Sequence, residues 1–166
     1  MHVDPATAMP ASLPATPSTL DALPGHYIRR LQQIAVAIFL EETSDFGVTP
    51  VQFAALQAVA QQPQLDQRSL AATIGFDTST IGGVIDRLEA RGLMRRNASP
   101  DDRRVRLLTV TPEGAALLEE IVPAMLRAQE RMLAPLPAAD RKRFMRMLQV
   151  LVQANNGLSR APGALE

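Results

Sequence analysis

Apolar positions along this chain recur at two periods, and the change from one to the other marks its architecture. Ile28, Leu31, Ile34, Ala35, Ile38 and Phe39 recur at helical spacing after Pro24-Gly25, which predicts a helix of about 20 residues reaching Ser44. Thr49-Pro50, a hydroxyl cap followed by proline in the first turn, opens a second helix through Gln61. A short polar-capped helix then runs from Asp66 to Ile74 and stops at Gly75. Another starts at Asp77-Thr78-Ser79-Thr80 and closes at Arg91-Gly92, with Ile81, Val84, Ile85 and Leu88 as its apolar stripe. The period now shortens. Residues 93–97 and 105–110 read as strands on either side of a charged turn at 99–104. Thr111-Pro112-Glu113-Gly114 opens a long helix, apolar at Leu117, Leu118, Ile121 and Val122, which Pro123 should bend or restart. The last helix runs from Pro137 to Ala154 with Phe144, Met147, Leu148, Leu151 and Val152 on one face.

Two short helices joined by a tight turn and followed by an arginine-tipped hairpin have the shape of a winged helix-turn-helix, a motif that reads double-stranded DNA. The expected fold class is therefore mainly α with a small β-hairpin wing. Residues 1–22, dominated by Pro, Ala, Thr and Ser, predict a disordered tail. Residues 23–156 form one expected domain, with a DNA-binding lobe at 50–111 and a dimerisation lobe at 24–45 and 113–155. Residues 157–166 read as a loose end. The terminal helices carry wide apolar stripes around a reading lobe that already fills its own core, so they must bury those stripes against each other or against a second copy. A symmetric homodimer would also present two reading heads to a palindromic operator.

Composition excludes more than it selects. At 166 residues and 46% hydrophobic content the chain suffices for one packed domain. It holds no cysteine, so thiolate catalysis, cysteine zinc ligands and thiol redox sensing are excluded. The longest apolar run, residues 34–40, is too short for a bilayer, and no segment resembles a secretion signal, so no membrane partner and a cytoplasmic location are expected. His2 and His26 are the only histidines, and no HExxH, P-loop, GxGxxG or GxSxG signature occurs; neither enzyme activity nor a metal or cofactor is expected.

Net charge is zero, but it is unevenly spread. Residues 1–66 hold two arginines against six acids, a net of −4, whereas residues 67–106 hold eight arginines against five acids, a net of +3. Positive charge collects where phosphates would lie. Within that stretch the face of the second helix opposite its core stripe presents Ser79, Gly82, Gly83 and Asp86, with Thr78, Thr80 and Arg87 at its margins. Small hydroxyls near a helix start suit base edges and phosphates. The glycine pair costs the helix roughly 1 kcal/mol per residue relative to alanine. Close approach to DNA explains that cost, and so does a tight helix crossing. Arg103 and Arg104 at the hairpin tip are placed to enter a minor groove, with Asp102 positioned to hold one of them by a bidentate contact.

These residues resemble the MarR family of bacterial transcriptional regulators. The resemblance covers residues 24–155. Its most specific parts are Leu70-Ala71 through Gly75, Ser79-Thr80, Asp86-Arg87-Leu88-Glu89 with Arg91-Gly92-Leu93, and Asp102-Arg103-Arg104 leading to Val110-Thr111 and Gly114. It implies a winged-helix dimer whose terminal helices pair, with Arg104 as the wing arginine. The chain departs at Gly82-Gly83, where many members carry a larger polar or basic residue, so base-reading details do not transfer.

The first helix suggests a trigger. His26, Arg29 and Arg30 cluster at its start, no acid stands three or four residues further on, and cations there oppose the helix dipole. A small aromatic carboxylate would suit them, with Ile34, Phe53 and Leu56 as apolar walls. The resemblance points the same way, since many such regulators release DNA when an aromatic acid binds. The arginines are equally explained by acids of a partner subunit or by solvent. The expectation is a ligand-responsive regulator, taken as a repressor. A winged-helix module used only for protein contacts is the alternative, and the basic wing argues against it.

Overall fold

The computed structural model describes Leu20 and residues 23–159. The expected tail and the last residues of the C-terminal end therefore lie largely outside the described residues. By internal contacts the chain divides after Gln33 into two units, each described by itself.

In the first unit, Leu23 N–H donates to the Leu20 carbonyl and His26 N–H to that of Leu23, and this turn leads into helix α1 (Pro24–Glu42). The His26 and Tyr27 rings meet edge to face at 5.8 Å, and Arg29 donates to Gln33 at 3.5 Å, one helical turn on. Leu23, Tyr27 and Ile28 are exposed.

The second unit holds the rest of α1, a 3-10 turn (Ser44–Phe46), α2 (Pro50–Gln61), α3 (Gln67–Thr73), α4 (Thr78–Ala90), the strands β1 (Met94–Ala98) and β2 (Arg106–Val110), α5 (Pro112–Leu133), α6 (Ala138–Asn155) and a closing 3-10 turn (Asn156–Leu158). Four of the helix starts expected from the sequence, those of α2 to α5, have side-chain caps. At α2 the Thr49 hydroxyl accepts from Gln52 N–H while the Gln52 side chain accepts from Thr49 N–H, a reciprocal capping box. Asp66 caps α3, Asp77 caps α4 and Thr111 caps α5.

The core of this unit is Leu56, Val59, Leu70, Ile81, Ile85, Leu88, Met94 and Leu108, drawn from α2, α3, α4 and both strands, with Leu118 of α5 closing it. Leu56, expected as a wall of a ligand pocket, is fully buried there and faces no accessible space. The apolar spacing on α2 fitted either role, and burial against α4 decided between them.

Pro123 does not restart its helix. α5 runs unbroken through it, because the proline sits on the exposed side where the carbonyl it leaves unpaired can meet water. The start of α5 is held close to the hairpin by Gly114. A Cβ at that position would lie 2.1 Å from the Leu93 carbonyl oxygen and 2.8 Å from Val110 Cγ1. Only glycine permits that approach. Thr111 adds a second tie, its hydroxyl donating to the Gly92 carbonyl at 2.6 Å.

α6 differs from every other long helix of this unit in burying no residue, and Met147, Val150, Leu151 and Val152 are each at least half exposed. Residues 157 and 158, expected as part of a loose end, continue α6 as a 3-10 turn. No helix among the described residues is long and apolar enough to cross a membrane.

Candidate nucleic-acid interface

The interface is assembled from the turn between α3 and α4. Asp66 Oδ1 accepts from Ser69 N–H at 2.6 Å, and this backbone hydrogen bond is the main reason the Asp66 carboxyl is held below its usual range. Gly75 ends α3 at φ +62°, and Phe76 N–H closes the turn on the Ala71 carbonyl at 2.8 Å. Asp77 Oδ1 then accepts from Ser79 N–H at 2.7 Å, and the Thr80 hydroxyl donates to the Asp77 carbonyl. α4 leaves this turn with Ile81, Val84, Ile85 and Leu88 in the core. Thr78, Ser79, Thr80, Gly83, Asp86 and Arg87 are exposed and Gly82 is half-buried. One helix therefore has an apolar inner face and a small, hydroxyl-rich outer face.

The glycine pair is not explained by a tight crossing. A Cβ on Gly83 would meet nothing within 4 Å, and one on Gly82 would meet only the flexible Gln67 amide, at 3.2 Å. Within the second unit no packing contact demands either glycine.

The hairpin pairs antiparallel with Met94 opposite Val110 and Ala98 opposite Arg106. Residues 64–66 dock on its open edge: Leu108 N–H donates to the Leu65 carbonyl at 2.8 Å, Gln64 N–H donates to the Leu108 carbonyl at 3.2 Å, and Asp66 bridges Leu107. The wing is thereby stitched to the residue that caps α3. Sequence reasoning missed this edge because three residues, with Leu65 as their one apolar position, give no readable period.

At the wing tip Arg103 and Arg104 are both exposed, Arg104 at 92% of its side chain. Asp102 does hold Arg104, but not by the expected bidentate fork. A single oxygen, Oδ1, accepts from the Arg104 backbone N–H at 2.9 Å and from its Nε at 3.3 Å. The consequence favours binding, because the two Nη groups are left pointing outward.

Not every arginine in the basic segment contributes to that surface. Arg91 donates to the Gly47 carbonyl at 2.6 Å and the Phe46 carbonyl at 2.9 Å, fastening the end of α4 to the α1–α2 connection. Arg96 turns back onto α4. Among the residues expected to hold an effector, Arg29 and Arg30 are exposed and His26 is half-buried, all in the first unit. Phe53, in the second, is half-buried against Phe39 at 5.9 Å. Among the described residues no His, Asp and Glu cluster has metal-binding geometry.

A capped helix-turn-helix with a hydroxyl-faced second helix and an arginine-tipped wing defines a winged-helix DNA-binding protein. Residues 48–105 match the MarR family. Over 149 residues the chain is 30% identical to the HTH-type transcriptional repressor NicR of Pseudomonas putida, covering 90% of this chain and 94% of that one. Its fold superposes on Bordetella bronchiseptica BpsR, a protein whose DNA binding is regulated by 6-hydroxynicotinic acid, with a TM-score of 0.77 and 34% identity over 82% of this chain and 97% of the other. It matches the repressor CouR of Rhodococcus jostii, solved on a 23-mer DNA duplex, with a TM-score of 0.77 and 29% identity over 86% of this chain and 99% of that one. The chain belongs to the MarR family and is a transcriptional regulator with a winged helix-turn-helix DNA-binding fold, not an enzyme.

Proposed function

We propose that the chain is a homodimeric repressor that holds a palindromic operator and lets go when a small aromatic carboxylate binds. Thr78, Ser79, Thr80, Gly82, Gly83 and Arg87 would enter the major groove, and Arg103 and Arg104 the minor groove. The observation that carries this reading is the outer face of α4: small side chains, and a glycine whose missing Cβ opens onto empty space. Close approach of duplex DNA gives that surface a purpose. The homodimer is supported by α6, whose apolar face is fully buried at no position among the described residues. The DNA-binding lobe would correspond to residues 50–111 and the dimerisation lobe to 24–45 and 113–155.

For the effector, His26, Arg29 and Arg30 of the first unit would supply the chemistry of carboxylate recognition. The regulation of BpsR by a hydroxylated pyridine carboxylate supports the ligand class. Release would be a population shift, in which the ligand prefers a spacing of the two reading heads that does not fit DNA.

A duplex selected from a random-sequence library by the wild-type protein tests the reading. Arg104→Ala should weaken binding to it by about 1–3 kcal/mol, and an unchanged affinity in fluorescence anisotropy refutes the wing assignment. Hydroxynicotinates and hydroxybenzoates that raise the melting temperature should lose that effect in Arg30→Ala and His26→Ala. A ligand that stabilises all three proteins equally places the effector elsewhere.

A further inference from the structure

Arg96 belongs to the wing by sequence and to the reading helix by contact. From β1 its Nη2 reaches Asp86 Oδ1 at 2.7 Å and the Gly82 carbonyl at 3.4 Å, and its Nη1 pairs with Glu89 Oε2. Its backbone N–H donates to Glu89 Oε1 at 2.8 Å. Gly82, Asp86 and Glu89 stand four and then three residues apart, so one guanidinium spans a full stripe along the edge of α4. The arginine side chain is 23% exposed, whereas that of Asp86 is 68% exposed.

That asymmetry matters. Asp86 shares the outer face of α4 with Ser79 and Gly83. A bare carboxylate there would face the phosphates that the surrounding hydroxyls and arginines attract. The same contact also braces the helix next to its glycine pair, where backbone stiffness is lowest.

We propose that Arg96 is a positioning residue for DNA recognition, masking the Asp86 carboxylate on the reading face and fixing α4 to the wing. The proposal rests on the assignment of that face to DNA. Its signature is a charge-specific rescue that a purely structural role does not produce.

The test uses the full chain and the library-selected duplex, with the folded fraction checked by circular dichroism. Arg96→Gln, which keeps most of the stem and loses the charge, should weaken operator binding roughly tenfold. Adding Asp86→Asn to that variant should recover most of the loss. Asp86→Asn alone should change affinity less than about threefold, because its charge is already answered. The mask is overturned if Arg96→Gln binds like wild type, or if the double variant stays as weak as the single. Should Arg96→Gln not fold, Arg96→Lys with and without Asp86→Asn carries the same comparison, since an ammonium loses the fork that spans both carboxylates. Arg104→Ala separates the levels of failure. If it too binds normally, the DNA face is misassigned; if it weakens binding while Arg96→Gln does not, only the mask fails.

Discussion

The winged-helix core and helix α6 are built from similar residues and end in opposite states. Ile81, Ile85, Leu88 and Leu108 are wholly buried, while Met147, Val150, Leu151 and Val152 stand at least half exposed. The core stripe is answered within its own chain by α2, α3 and both strands. Among the described residues nothing buries the α6 stripe fully: Phe144 and Leu148 are half-buried and the rest is exposed, although its helical spacing is as regular. Periodicity therefore reports that a face wants burial, not what will bury it.

The sharpest way to break this contrast is to truncate one residue on each side. Leu88→Ala should cost about 2–5 kcal/mol in chemical denaturation, since it opens a cavity at the centre of the lobe. A loss below about 1 kcal/mol would mean that the core is not close-packed. Leu151→Asp is the counterpart. It should leave the far-ultraviolet spectrum intact but cost about 3 kcal/mol or more of dimerisation free energy by burying an unpaired charge in the subunit interface, with DNA binding lost alongside. Leu148→Asp should behave likewise. Wild-type operator affinity in a variant shown to be monomeric by sedimentation would sever dimerisation from DNA binding.

Gly114→Ala sharpens the boundary between the two regions, because the glycine lets α5 leave the wing at close range. Its methyl group would overlap a backbone oxygen, which cannot rotate away, so a loss of about 1–3 kcal/mol is expected. A melting temperature equal to wild type would show that the helix start shifts freely.

The smallest effect lies at the Asp66 cap, where Asp66→Ala should cost about 1 kcal/mol. Here pH gives a second reading. The folded carboxyl is held below its ordinary value of 3.8, mainly by the Ser69 N–H. Its contribution is therefore fully present above that value and drains away as pH falls through the lower folded value. Asp66→Asn should remove that part of the acid dependence in urea titrations as pH falls through and below the ordinary carboxylate range. An unaltered pH profile would assign the acid sensitivity to other carboxylates.

Local chemistry was legible from the residues alone. The caps at Thr49, Asp66, Asp77 and Thr111, the turn at Gly75, the stripe of α4 and the two strands are set by interactions within a few residues, and sequence spacing records those directly. What tertiary structure alone decided were contacts between residues distant along the chain. Arg91 and Arg96 looked like two more cations of a DNA-binding segment, and the fold spends them on carbonyls 44 and 45 positions away and on carboxylates of another element. Leu56 looked fit for a pocket and became core. Gly114 looked like a motif letter until the Leu93 carbonyl was seen beside it. Charge and apolarity are properties of a residue, but what satisfies them is a property of the neighbours that folding brings within a few ångströms.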